Sequence, residues 1–174
     1  ASATAFERYE GMRVTVPEPL TVSDNESLGQ FGELLLSSGG LLIGPTSVID
    51  PNDEPPTGTT STGATNVAAI NARVAADALR TLLLDDGSTR SYPVPTPHLT
   101  GTDPATATRR AGDTVTGLSG VLSYGFGTYR VQPVAPVAFV AANPRTAAPP
   151  FLGGTVKVAS FNVLNYFTTF GGTN

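Results

Sequence analysis

RAGDTVTGLSGVLSYGFGTYRVQPV, residues Arg110–Val134, decides the fold. It reads as a β-hairpin with a tight, aromatic, glycine-rich tip. Gly112-Asp113 is a turn signal. Thr114–Ser123 is rich in β-branched residues and alternates. Val115, Gly117, Ser119 and Val121 fall on one face, and Thr114, Thr116, Leu118, Gly120 and Leu122 on the other. Tyr124-Gly125-Phe126-Gly127 turns back sharply, because glycine tolerates positive φ. Thr128–Val134 returns as a second strand. The internal glycines Gly117 and Gly120 predict a strongly bent strand, of the kind small closed barrels need at their corners.

Outward from the hairpin, the composition agrees with a β domain carrying long loops. The chain has 174 residues, with 19 Gly and 15 Pro, about a fifth of the total. It has no Cys, which excludes a disulfide scaffold and thiolate metal sites. No apolar run is long enough to span a bilayer, so no membrane contact is expected. Net charge is −4. That balance argues against a surface that holds nucleic acid mainly by counterion release, while permitting a local Arg patch. No signal peptide opens the chain, so any export signal is expected to have been removed or to lie upstream.

Before the hairpin, Gly11–Val16 reads as a first strand, with Pro17 and Pro19 bracketing a bend and Leu20-Thr21-Val22 a short extended piece. Phe31–Ser37 reads as a second long strand, closed by Ser38-Gly39-Gly40 into Leu41-Leu42-Ile43. Asn66–Arg80 is a helix, with Val67, Ile70, Val74, Ala78 and Leu82 forming an apolar stripe expected to enter the core. Thr81–Leu84 is a strand or a last helical turn, and Asp85-Asp86-Gly87-Ser88 a turn. The only histidine, His98, lies in a proline-rich loop and is expected at the surface, with no local partner for base catalysis. Domain limits follow: 6–140 for the first domain, 141–154 for a Pro/Gly-rich linker, and 155–174 for the start of something further. Thr155–Tyr166 (TVKVASFNVLNY) reads as its first strand.

The order strand, hairpin, helix, strand and bent terminal hairpin predicts a mainly β chain. More closely, it predicts a five-stranded OB-fold-like Greek-key barrel with one α-helix. The stretches ERYEGMRVTV, LGQFGELLLSSGG, LLLDDGS and GDTVTGLSGVLSYGFGTYRVQP resemble the OB-fold-like domain of large secreted bacterial nucleases. In that family the domain precedes an endonuclease/exonuclease/phosphatase catalytic domain, and VKVASFNVLNYFTTF looks like the first strand of that catalytic domain. The resemblance implies a secreted or cell-surface bacterial protein whose catalytic domain uses a divalent metal, Mg or Ca. It places Asn162 of Phe161-Asn162 at the family's opening motif, where the Asn amide helps organise the metal and phosphate site. The remaining ligands are expected downstream of Asn174. The chain itself is therefore expected to be non-catalytic and without a cofactor.

The resemblance also implies where a ligand would meet the barrel, since OB-folds bind through sheet-face aromatics and the loops joining strands one–two and four–five. Tyr124, Phe126 and Tyr129 are candidates to stack on bases, and Arg130 to meet a phosphate or to stack. Arg13, Arg109 and Arg110 are candidates to add charge. The expected partners are single- or double-stranded nucleic acid and the chain's own C-terminal catalytic domain. A second copy, joined through the 155–170 tail, is a further candidate. Plain barrel packing of the same aromatics stays open, which would make the domain a structural spacer or a protein-docking module. A complete small hydrolase is the third reading.

Overall fold

A computed structural model of the chain describes residues 3–51, 66–99 and 108–144, together with 146–148, 151, 153, 156 and 158. It divides into two compact units, Ala1–Pro144 and Arg145–Asn174. All the named elements lie in the first. Asn162 and most of the predicted strand and tail from residue 155 onward lie outside the described residues.

The elements run α1 (Ala3–Phe6), a 3₁₀ turn (Glu7–Tyr9), β1 (Arg13–Val16), β2 (Leu20–Asp24), α2 (Leu28–Phe31) and β3 (Leu34–Ser38). A second 3₁₀ turn (Pro45–Ser47) precedes α3 (Val67–Ala78), β4 (Thr81–Leu84), β5 (Thr114–Val115), β6 (Leu118–Gly125) and β7 (Thr128–Pro133). The chain is mainly β. Its strands form one seven-stranded mixed sheet in the order β1-β6-β7-β4-β3-β2-β5. The expectation of five strands in a closed barrel is therefore corrected. There are seven strands, and the ladder ends at β1 on one side and β5 on the other. The excess has two local causes. Pro17-Glu18-Pro19 interrupts pairing between β1 and β2, because proline lacks a donor. Thr116-Gly117 interrupts it between β5 and β6, with Gly117 at φ +69°.

That second break changes which residues face inward. Strict alternation puts Val115 and Leu118 on opposite faces, yet both are buried. The two extra residues, Thr116 and Gly117, are exposed and reset the register, so Leu118 and Leu122 join Val115 in the core. Leu20 and Val22 from β2, Leu34 and Leu36 from β3, Leu84 from β4 and Val131 from β7 complete it, with Leu28 from α2. Each such side chain contributes about 1.5–3 kcal/mol by leaving water.

Three other segments differ from expectation. Phe31 closes the short helix α2, and Gly32 at φ +72° turns the chain into β3, so the strand starts later than its apolar pattern suggests. Leu41–Ile43 does not pair as a strand. Ser37 Oγ instead donates to the Gly40 carbonyl at 2.8 Å, and the Leu42 amide donates to Ser23 Oγ at 2.9 Å, closing the turn through side chains. The helix α3 forms where predicted, from an alanine-rich run with no Gly or Pro. None of its residues is buried, so its apolar stripe is not core. Polar ties hold its C-terminal end: Arg73 and Arg80 both bond Asp77, and Arg80 Nη1 reaches the carbonyls of Ser38 (2.7 Å) and Gly40 (3.0 Å).

Gly120 lets β6 and β7 approach. A Cβ there would lie 2.5 Å from Val131 Cγ1 and collide with the Gln132 carbonyl, which is backbone and cannot swing aside. Gly120→Ala is expected to destabilise the domain by about 1–3 kcal/mol, as overpacking does. Urea unfolding monitored by circular dichroism checks this, with a lower midpoint and an unchanged slope.

Candidate functional site

Three connections meet at one end of the sheet: α2 into β3, the turn after β4, and the β6–β7 tip. They enclose a groove of about 350 Å³ lined by Phe31, Glu33, Asp85, Arg90, Phe126 and Arg130 among others.

The tip is a two-residue turn. Gly125 pairs with Thr128, and Phe126 (φ +52°) and Gly127 (φ +82°) lie between them. Positive φ at both central positions is the type I′ signature, which suits the twist of a hairpin and favours Asn-Gly. A phenylalanine at the first position is a steric outlier. Its ring gains nothing from burial, being 98% exposed. It lies over the Arg130 guanidinium, 5.4 Å from its Cζ. Tyr124, on the same strand end, is 52% exposed and packs against Tyr129, with ring centroids 4.8 Å apart. Phe31 stands on the α2 side of the groove, 44% exposed.

Arg130 forms the floor and is only 6% exposed. Its Nη1 donates to Glu33 Oε1 at 2.7 Å and to Asp85 Oδ2, and its Nη2 donates to the Gly125 carbonyl at 2.9 Å. Both carboxylates are themselves largely covered. Arg130 is thus paired and covered, an internal cross-link between β7, the turn after β4 and the start of β3. Asp85 has a second task, since Oδ1 accepts from the Gly87 amide at 2.6 Å and shapes the turn predicted from Asp85-Asp86-Gly87-Ser88. Arg90, in the loop leaving that turn, is exposed. Among the described residues no carboxylate pairs with it.

The other predicted cations do not converge on the groove. Arg109 is 5% exposed and bound internally, to Asp113 Oδ2 (3.3 Å) and the His98 carbonyl (2.9 Å), with Phe139 against its guanidinium. It staples the 108–113 turn to the 98 loop. Arg110 is half-buried, its Nε without a hydrogen-bond partner. Arg13 is exposed but sits opposite Val121, further along β6 from the tip, where its Nε faces Ser119 Oγ at 3.4 Å. His98, expected at the surface, is half-buried, with φ +61°. Burial lowers its pKa, so its neutral form is favoured.

Tyr129 packs on Phe6 and donates its hydroxyl to Glu7 Oε2 at 2.5 Å. It ties the N-terminal 3₁₀ turn to the hairpin, with only Tyr124 of its neighbours reaching the groove. Sequence reasoning missed Phe31, Glu33, Asp85 and Arg90. The exposed Phe-Gly turn was the legible part; an acidic turn after a buried strand was the available sign of a partner for Arg130.

Among the described residues no group of three or more His, Asp or Glu side chains is placed to hold a metal ion. No helix among them is long and apolar enough to cross a membrane. A family model for a domain of unknown function, DUF8508, matches residues 2–142. The chain belongs to that family. No curated protein and no solved structure matches it. The family match covers every element of the DUF8508 sheet, from β1 to β7.

Two outcomes follow from these contacts. Arg130→Ala leaves Asp85 and Glu33 as uncompensated, largely covered charges and is expected to cost about 3–5 kcal/mol. Arg13→Ala, at an exposed position, is expected to stay within about 0.5 kcal/mol. Chemical denaturation of both variants checks the contrast. The Tyr129 pKa is pushed up to about 12, chiefly by the hydrogen bond to Glu7. Its folded value thus exceeds the unfolded value of about 10, so the stabilisation is complete below pH 10 and is lost as pH rises through 12. Phenolate absorbance should show one of the five tyrosines ionising late, and Glu7→Gln should bring that transition back toward 10.

Proposed function

We propose that this domain is a non-catalytic, single-strand-binding accessory module, an OB-like barrel carried by a secreted bacterial nuclease. Support for the barrel comes from the two interruptions. Read β1–β2 as one bent strand and β5–β6 as another. The pairings then run first–second, second–third, third–fifth (parallel), fifth–fourth and fourth–first. That is the pairing order of the five-strand Greek key that the resemblance implies. On this reading α3 precedes the third strand, one connection earlier than in the resembled pattern. The groove then lies between the first–second and fourth–fifth loops, where OB-folds meet their ligands.

The observation that carries the ligand reading is Phe126. A bulky residue in a left-handed conformation costs roughly 1–2 kcal/mol, and the solvent-exposed ring recovers none of it by burial, its one described contact being the Arg130 guanidinium. Such strain at an exposed tip, beside a groove with a second aromatic, Phe31, supports a stacking platform. With Arg130 and Arg109 neutralised internally, Arg90 is the groove cation left for a phosphate. Binding is therefore expected to rest on stacking, with a shallow salt dependence. The catalytic chemistry and its Mg or Ca ion belong, on this reading, to a separate domain.

Phe126→Asn separates the two terms. Asparagine tolerates the turn, so the variant is expected to be about 1 kcal/mol more stable. It also lacks the ring, so affinity for a fluorescent single-stranded oligonucleotide should fall about tenfold or more, from the 1–3 kcal/mol each stacked base supplies. Anisotropy at low salt and urea unfolding measure both. No binding by the parent domain would leave it a spacer that positions its neighbour.

A further inference from the structure

Among the described residues, three that are not glycine hold a left-handed backbone: Tyr92 (φ +54°), His98 (φ +61°) and Phe126 (φ +52°). His98 is half-buried, and Arg109 holds its carbonyl. Tyr92 and Phe126 instead stand in solvent, 68% and 98% exposed. Tyr92 carries a further penalty. It directly precedes Pro93, and proline drives the residue before it toward extended backbone. Glycine or asparagine would serve the same turn with less strain. Among the described residues no ring contact and no side-chain hydrogen bond engages the Tyr92 side chain.

The backbone fixes where Tyr92 stands. Its amide donates to the Gln30 carbonyl of α2 at 2.7 Å. Phe31, the residue after Gln30, lines the groove, as do Arg90 and Ser91, the two residues before Tyr92. Tyr92 is thereby held at the α2 edge of the groove, while Phe126 stands at the hairpin edge. One strand, β4, separates the hairpin strand β7 from β3, which follows α2. The two edges are thus two strand spacings apart, roughly 10 Å. Two exposed aromatics, each kept at a conformational cost, flank one groove, and strain of this kind gathers where ligands are clamped. We propose that Tyr92 is a second stacking platform. A single strand crossing the groove then rests one base on Phe126 and another on Tyr92, with its phosphates passing Arg90. The inference rests on the single-strand reading above. It extends the contact surface to the connection between β4 and β5, outside the first–second and fourth–fifth loops. The Tyr92 ring is already in solvent, so a base reaches it with no rearrangement of the fold.

The probe is a fluorescent single-stranded oligonucleotide of about eight nucleotides, within the site sizes of such barrels, read by anisotropy at low salt. Tyr92→Asn relieves the backbone and removes the ring. It is expected to bind about tenfold more weakly than the parent domain, with a urea midpoint no lower. Tyr92→Phe keeps the ring and is expected to restore the parent affinity. Added to Phe126→Asn, Tyr92→Asn is expected to weaken binding by about another tenfold, because the two platforms hold different bases. Parent-like affinity of Tyr92→Asn overturns this inference alone. So does a loss in Tyr92→Phe equal to that in Tyr92→Asn, a loss in Tyr92→Asn matched by a lower urea midpoint, or no further loss in the double variant. Absence of binding by the parent domain overturns it together with the single-strand reading.

Discussion

The Arg130 guanidinium, shared between Asp85 and Glu33, secures the one parallel joint in the sheet. Between β4 and β7 only two residue pairs are in register, Leu83 with Arg130 and Leu84 with Val131, and they are parallel. Parallel pairs are slightly less stable per residue than antiparallel ones. Everything on one side of that joint is the β1-β6-β7 ribbon, and everything on the other is β4-β3-β2-β5. Arg130 reaches from β7 to the end of β4 and to the residue before β3, bridging the halves where the backbone ladder is only two pairs long. Val131, its neighbour, faces the core on the opposite side of the sheet. The joint is thus held by apolar contact on one face and by charge on the other.

This arrangement explains the distribution of charge at the groove. A domain with few basic residues has used two arginines as internal struts, Arg109 beneath one turn and Arg130 beneath another. Each is paired or bonded to groups far away in sequence or across a turn. The loops above them are fixed because the struts are fixed. Phe126 is positioned by the Gly125 carbonyl that Arg130 holds and by the glycine that follows it. Rigid presentation suits a stacking surface, since little freedom remains to be lost on binding.

The hairpin, helix α3, strand β4 and the acidic turn were legible in the sequence because each is set by neighbouring residues: turn glycines, an alanine-rich run, a short leucine strand. What was not legible depends on distant partners. The burial of Arg130 follows from carboxylates 45 and 97 residues away. Phe31 looked like the start of a strand because FGELLLS is a short, largely apolar run before a Ser-Gly-Gly turn; Gly32 in a left-handed conformation ends a helical turn there instead. The inward face of β6 was misjudged because two extra residues, Thr116 and Gly117, shift the phase. The apolar stripe of α3 has the right period for burial, but no period reveals whether a neighbour exists to cover it.

The first strand has an unusual dependence on the last part of the domain. β1 pairs only with β6, and Arg13 is 106 residues from the serine it faces there. At ribosomal rates of about 5–20 residues per second, β1 waits roughly 5–20 s after emerging before its partner is made. Contacts of such long sequence separation slow folding, because the intervening chain must be ordered first. Throughout that interval a short, partly apolar strand stands with both edges unpaired. Pro17 and Pro19, placed directly behind it, limit how far a foreign strand can extend along it. The same prolines that split the strand in the finished sheet thereby guard the nascent chain while it is still incomplete.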